Sequence, residues 1–504
     1  MKKALITLRK DLFFRKMEAL GLALAYDDVR LKSGYSEVHP KDVSITTHFS
    51  RNIPLLCPLA SAAMDTITEV PMAIAMPKIV GGVGILHKAW EAQRQQAALK
   101  QVKNHLNCLI EDPVCVNEGD TILQIRNMRQ QQGYSFHSFP VLDGNGKLSG
   151  LLTRNDFDLS SGDSITAGEA MTPIKDLVTA SIKTLPKEAY TLLREKRKKV
   201  LPLLRENGTL AGMYVLSDVK RLIIGGKTPY NVDKAGHLIV GAAIGTGEAE
   251  LLRAQMLIEV GCDVLVIDTA HGDSKNVYET LRELKRSYPG CDVVVGNVSE
   301  GESAKRLAKA GADGIKVGQG PGSICTTRIV AGIGCPQVTA IYNCAKAVRG
   351  MGIPICADGG IRYSGDITIA IGAGADSVML GKTLAGTTET PGLIQETSKG
   401  RIKSYRGMGS LAAMQASKAS RERYLQGETS KEKLVPEGVS SVVLYQGDVA
   451  DVLHKQIGGL RAGMGYVGAG SIKELQEKAD FHRISGSGLA ESHPHDIIIT
   501  ENPR

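Results

Sequence analysis

Apolar residues in this chain fall into short runs that end in Gly, Asp or Asn. Eight can be counted: Leu55–Ala63 with Met64 and Asp65 following, Val83–His87, Leu238–Ile244, Asp263–Asp268, Asp292–Asn297, Gly314–Gly318, Pro354–Asp358 and Ser377–Gly381. Most precede segments with an apolar residue every three or four positions, such as Ala304–Ala310. A strand that is apolar throughout is buried on both faces. The alternation therefore predicts a parallel sheet covered by helices. Eight such units predict a (β/α)8 TIM barrel of the α/β class. The alternative is a doubly wound open sheet, but no GxGxxG follows the first strand.

The alternation breaks after His87 and resumes only at Leu238. The stretch between them repeats itself. Phe139-Pro140-Val141-Leu142, Gly146, Leu148, Gly150 and Asp156 recur as Leu201-Pro202-Leu203-Leu204, Gly208, Leu210, Gly212 and Asp218. Each copy reads as strand, turn, strand and helix start. One copy buries too little alone, so the two are expected to pack on each other. The pair resembles a tandem cystathionine-β-synthase (CBS) module. That resemblance implies a regulatory site for purine nucleotides such as ATP or GTP. Thr153 and Asp156 match its ribose-contacting pattern; the second copy keeps Asp218 but has Val215 in place of the Thr. Bracing of an oligomer is the alternative role. The expected domains are 17–107 (first part of the barrel), 108–224 (inserted module) and 225–504 (second part of the barrel with catalytic loop, flap and C-terminal segment).

The chain of 504 residues is 42% hydrophobic and 23% charged, as in an ordinary globular protein. One Trp and seven Phe predict an aliphatic core. The sequence holds no uninterrupted apolar run of about 18 residues, which argues against a membrane span. Nine dispersed cysteines without a CxxC pair argue against a zinc site or a disulfide framework and for a reducing cytoplasm. The net charge of +8 suits anionic ligands such as nucleotides, but no block of like charge marks a dedicated nucleic-acid face. The basic segment Met1–Lys16 lacks a clear apolar stretch with a cleavage site. It reads as a solvated or frayed extension, with Met17 as a candidate start; a weak amphipathic anchor is the alternative.

In a barrel of this type the active site lies at the C-terminal ends of the strands. Those ends carry Asp268, Asn297, Asp358 and Gly381. Between the sixth and seventh runs lies Gly318-Gln319-Gly320-Pro321-Gly322-Ser323-Ile324-Cys325-Thr326-Thr327-Arg328. Glycines let a backbone approach a ligand closely, and a thiol on such a loop can serve as a nucleophile. A lone Asp at a strand end is by default a helix cap, and a lone Cys is by default a buried hydrophobe. Two carboxylates, an amide and a thiol loop together outweigh those defaults. Gly359-Gly360 and Gly381 suit backbone amides that cradle a phosphate.

Four motifs sharpen this reading: Ser61-Ala62-Ala63-Met64-Asp65-Thr66, Asp268-Thr269-Ala270-His271-Gly272, Gly320-Pro321-Gly322-Ser323-Ile324-Cys325-Thr326-Thr327 and Tyr405-Arg406-Gly407-Met408-Gly409-Ser410. They resemble the inosine 5′-monophosphate (IMP) dehydrogenase/GMP reductase family from about Leu22 onward, with the CBS pair at the family's insertion point. The resemblance implies NAD-dependent oxidation of IMP to xanthosine 5′-monophosphate (XMP), the committed step of guanine nucleotide synthesis. Cys325 would attack C2 of the base, and the covalent adduct would then be hydrolysed. Asp358 would hold the IMP ribose; Ser323, Gly359, Gly360, Gly381 and Tyr405 would serve its phosphate side. Met64, Asn297, Gly407, Met408, Gly409 and Glu437 would line the base pocket. Asp268, Ala270, Gly318 and Gly320 would serve NAD. Arg423-Tyr424 matches the family's flap pair, with the arginine as the base that activates water. Thr327 with Glu437 offers a second proton route. Alone, Arg423 would read as a solvated helix residue. Lys382 departs from the small residue usual beside Gly381, and either adds charge to the phosphate site or points away.

A potassium site is also implied, from carbonyls of Gly320, Gly322 and Cys325 joined by Glu491, Ser492 and His493 of a neighbouring subunit. The family often has glycines where Ser492 and His493 stand. A homotetramer is expected, with an octamer as the larger alternative. The rival activity is GMP reductase. That family typically has Glu where this chain has Leu411, and it lacks the Arg-Tyr pair. A catalytically silent nucleotide sensor is the reading from another class.

Overall fold

The computed structural model describes residues 8–106, 109–111, 113–132, 136–159, 164–224, 230–398 and 400–500. By its internal contacts the chain divides into two units. One is formed by Met1–Lys103, Thr228–Asn231 and Leu238–Arg504, the other by Asn104–Lys227 and Val232–His237.

The first unit is a closed barrel of eight parallel strands. They are β1 (Leu59–Ser61), β2 (Val83–Leu86), β3 (Val240–Ile244), β4 (Val264–Asp268), β5 (Asp292–Val298), β6 (Gly314–Val317), β7 (Ile355–Asp358) and β8 (Ser377–Leu380). Each pairs with the next, and β8 closes on β1 through Val378↔Leu59 and Leu380↔Ser61. Apolar, mostly branched side chains fill these strands and are buried almost without exception. The first strand is shorter than its apolar run predicts. Leu55 belongs instead to a hairpin, Thr47–Ser50 with Ile53–Leu55. Pro58 lacks the N–H a ladder needs and separates the two. The hairpin touches β5 through β8 and buries Phe49 completely. Asp292 at the start of β5 ties it down: its carboxylate accepts from Ser50 Oγ at 2.6 Å and from the Asn52 amide N–H at 2.8 Å.

The N-terminal segment departs from its expected frayed state. Residues 1–7 lie outside the described residues, but Arg9–Ala19 is a helix with Phe14 and Met17 buried. Asp11 forms two hydrogen bonds with the Arg349 guanidinium, at 2.8 and 2.9 Å, and accepts from Tyr342 Oη at 3.0 Å. The Phe14 ring stacks on Tyr342 with centroids 3.9 Å apart. Lys10 is 3% exposed and donates to the Gly372 carbonyl at 2.9 Å. The basic composition of the segment hid its apolar stripe.

The second unit contains two four-stranded sheets. In each, an antiparallel pair leads into a helix: Phe139–Leu142 and Leu148–Leu152 into Arg154–Leu159, and Val200–Leu204 and Leu210–Val215 into Leu216–Ile224. Leu151 of the first copy packs with Val200 and Met213 of the second. Asp156 accepts hydrogen bonds from the Thr153 amide and hydroxyl, at 2.6 and 2.8 Å, which caps its own helix. Asp218 accepts from the neighbouring Ser217 hydroxyl at 3.2 Å.

Lys10 makes the docking of the N-terminal helix pH-sensitive. Burial and the Arg349 charge pull its ammonium down to about 7, against the partial compensation of Asp11, Asp376 and Glu477. In the unfolded chain the group titrates near 10.4. Between these values the unfolded chain binds more protons, so stability rises with pH from about 7 to about 10 and is lower below that window. Urea unfolding across pH 6–10 should show this rise, and Lys10→Met should flatten it.

Candidate active site

Cys325 sits on the loop after β6, half-buried, with its Sγ 3.3 Å from Thr327 Oγ1. The loop is held by a second segment. Thr326 N–H donates to the Glu437 carbonyl at 2.9 Å, and Val439 N–H donates to Ile324 O at 3.0 Å. Residues 437–439 bond in turn to 407–409, through Gly407 N–H to Val439 O and Glu437 N–H to Gly409 O. The thiol is thus fixed by backbone ladders on an otherwise glycine-rich loop.

A cavity of about 380 Å³ opens at the C-terminal ends of the strands. Cys325, Thr327, Met64, Gly407, Met408 and Glu437 are among the residues that line it. Asn297 and Asp358 come from β5 and β7; Asn297 Nδ2 donates to Asp358 Oδ2 at 2.9 Å and to Gly318 O at 2.7 Å. Gly359 and Gly360 follow with φ of 89° and 82°. Two consecutive left-handed residues need glycine, and they turn the backbone along the cavity wall.

Ser323, Gly381 and Tyr405 also meet there. Tyr405 and Ser323 share a side-chain hydrogen bond, and burial pushes the Tyr405 phenol up. A methyl group placed on Gly381 would lie 3.1 Å from Tyr405 Oη. Two residues before Tyr405, Lys403 is 1% exposed and donates to the carbonyls of Thr387 at 2.9 Å and Thr390 at 2.6 Å. It ties the Tyr405 strand to the loop after β8. Lys382 lines the cavity but is exposed, and it has no ion pair among the described residues.

Asp268, Ala270, Gly318 and Gly320 line the cavity as well. Gln319 Nε2 donates to Ala270 O at 3.1 Å. Arg423 and Tyr424 end the flap helix Lys418–Arg423 and turn inward. Arg423 forms an ion pair with Asp268 Oδ2, and its carbonyl accepts from Ala270 N–H at 3.1 Å. Tyr424 is half-buried; desolvation, and then the neighbouring Cys325 and Glu437, raise its phenol. The solvated-helix alternative for Arg423 is thereby removed: its side chain is only 14% exposed.

The charged centre was not anticipated. Lys316 on β6 is 2% exposed and reaches Asp268 Oδ1 at 2.9 Å and Asp358 Oδ2 at 2.5 Å, and it also donates to Asn297 Oδ1. The signal was a lysine inside the apolar run Gly314-Ile315-Lys316-Val317. Ala25, Tyr26 and Asp27 of the N-terminal segment also line the cavity, and no motif marked them.

The potassium candidates divide. Gly320, Gly322 and Cys325 lie on the loop, where Gly322 O accepts from Cys325 N–H at 3.0 Å. Glu491, Ser492 and His493 lie at the end of the helix Gly486–Glu491, with the His493 ring 5.7 Å from that of Tyr363. Among the described residues no group of three or more His, Cys, Asp or Glu could hold a metal ion. The loop offers carbonyl oxygens, which suit a hard monovalent cation. Thr153, Asp156 and Asp218 belong to the other unit.

Residues 23–495 match the sequence pattern of the IMP dehydrogenase/GMP reductase domain. The chain belongs to that family. It is 46% identical to an inosine-5′-monophosphate dehydrogenase of Aquifex aeolicus over 95% of this chain and 96% of that one. It is 44% identical to one of Halalkalibacterium halodurans, over the same shares of the two chains. A crystal structure of a Trypanosoma brucei GMP reductase variant with guanosine 5′-monophosphate aligns with a TM-score of 0.84 at 38% identity. That alignment covers 95% of this chain and all of the other. The family match starts after the helix Arg9–Ala19. No helix among the described residues is long and apolar enough to cross a membrane.

Within this family frame the flap position can be tested. A methyl group on Gly409 would lie 2.6 Å from the Tyr424 ring. Gly409→Ala should therefore lift the flap, at an overpacking cost of about 1–3 kcal/mol. Trypsin should then cut after Arg421 and Arg423 faster than in the unmodified protein.

Proposed function

We propose that this chain oxidises IMP to XMP with NAD through a covalent bond to Cys325. The observation that carries this reading is the placement of the thiol in one cavity with Asn297, Asp358 and the inward-turned Arg423-Tyr424 pair. Asp358 accepts hydrogen bonds from the ribose hydroxyls of IMP. Ser323, Tyr405 and the amides of Gly360 and Gly381 hold its phosphate, and Met64, Met408 and Glu437 border the base. The Cys325 thiolate adds to C2, which makes that carbon ready to release a hydride. NAD, when bound along Asp268, Ala270, Gly318 and Gly320, supplies the acceptor for that hydride. The Asp268 carboxylate suits a ribose diol, but only in place of Arg423.

In the second half-reaction the flap sits as observed. Arg423 and Tyr424 orient a water toward C2, Arg423 in its neutral form takes the water's proton and becomes the guanidinium, and the thiolate leaves as XMP forms. Thr327, 3.3 Å from the sulfur, with Glu437 provides the other proton route. Dividing oxidation from hydration makes two easier steps. The loop carbonyls of Gly320, Gly322 and Cys325 hold potassium, with Glu491, Ser492 and His493 supplied by a neighbouring copy in a tetramer. The second unit is a CBS pair that binds ATP, GTP or related nucleotides through Thr153, Asp156 and Asp218. The enzyme works in the cytoplasm.

GMP reductase is the second reading, because the solved structure named above is that of a GMP reductase variant. Leu411 and the docked Arg423-Tyr424 pair weigh against it. Absorbance at the NADH wavelength with IMP and NAD, run beside GMP with NADPH, separates the two: production of NADH is expected, and consumption of NADPH alone would reverse the assignment.

Cys325→Ser should abolish turnover and retain IMP binding, since a hydroxyl without a dedicated base is a much poorer nucleophile. Calorimetry with IMP checks the second half of that statement. Arg423→Ala should keep the first burst of NADH and slow hydrolysis, so that intact-mass analysis finds the protein carrying the nucleotide adduct.

A further inference from the structure

Four charges of alternating sign run through the barrel mouth. Arg423 of the flap pairs with Asp268 Oδ2. Asp268 Oδ1 lies 2.9 Å from Lys316 Nζ, and Lys316 Nζ lies 2.5 Å from Asp358 Oδ2. The ammonium donates hydrogen bonds to Asp358 Oδ2 and to Asn297 Oδ1 and forms an ion pair with Asp268. One ammonium is thus shared between two carboxylates and an amide oxygen. It is also 2% exposed, so solvent screens these charges little. Any change in the charge that one carboxylate offers must alter its hold on the other.

We propose that Lys316 is a positioning residue that couples the substrate ribose site to the flap and the cofactor site. This rests on the assignment of Asp358 to the IMP ribose and of Asp268 to the cofactor ribose. When ribose hydroxyls donate to Asp358, they satisfy part of its negative charge. Lys316 then leans toward Asp268 and competes with Arg423 for it. The flap loosens, and the Asp268 side of the cavity opens for a second diol. IMP binding therefore favours NAD binding, and by linkage NAD favours IMP by the same factor. The bistable element is the flap, whose Arg423 either holds Asp268 or leaves it.

The test uses the full chain with Cys325→Ser, which cannot turn over. The IMP dissociation constant is measured by calorimetry with and without saturating NAD, and the NAD constant with and without IMP. The expected ratio is about fivefold or more in both directions. Adding Lys316→Met should bring both ratios to within about twofold of one, whereas Lys316→Arg should keep most of the coupling. A merely structural role would weaken each affinity and leave the ratio intact. Unchanged coupling in Lys316→Met, or equal loss in Lys316→Met and Lys316→Arg, overturns the inference. If Lys316→Met does not fold, Asp268→Asn takes its place, and persistence of the coupling there overturns it equally. Absence of IMP turnover by the unmodified protein would remove the proposed function itself; turnover with unaltered coupling would remove only the role of Lys316.

Discussion

Closure of eight parallel strands sends every strand the same way, so their C-terminal ends must share one mouth. Residues far apart in sequence become neighbours there, and two of them, Asp268 and Asp358, carry negative charge. Carboxylates drawn together in a poorly solvated space repel unless a cation stands between them. Lys316 is that cation, supplied by β6 from between the two strands that carry them. Asp358, Asn297, Asp268 and, through Asp268, Arg423 all meet at this one ammonium.

Much of this was readable in the chain. Runs of branched apolar residues ending in Asp, Asn or Gly predict buried parallel strands, and seven of the eight fall close to their predicted places. Cys325, Asn297 and Asp358 could be found because strand ends and glycine-rich loops leave a local signature, whereas Arg423, a solvated helix residue by its own pattern, was marked only by the family resemblance. Lys316 was missed because a single lysine inside a strand looks like an interruption of the pattern. Its role depends on partners contributed by β4, β5 and β7, which no local window contains. Lys403 escaped for the same reason: its partners are backbone carbonyls, which have no sequence identity.

The N-terminal helix shows the opposite limit. Its sequence is basic, and its composition points to solvent. In the structure, Asp11, Phe14 and Met17 form a narrow inward stripe, and the ion pair with Arg349 lies more than 300 positions away in the chain. A short amphipathic segment with few apolar residues is ambiguous until the surface it covers is known. The segment that follows it, Ala25 to Asp27, enters the cavity wall.

The ladders that join 437–439 to both 407–409 and the Cys325 loop have a consequence for how this fold can change. They close the stretch from Ser410 to Pro436 at its base, like the neck of a bag. Its two ends are held side by side whatever the residues between them do, so its length adds little to the entropy of closure. The segment that presents Arg423 and Tyr424 is thus an exchangeable cartridge, mounted next to a thiol whose own position it does not determine. A barrel built this way can keep its attack on the purine ring and acquire a different second step by replacing one loop.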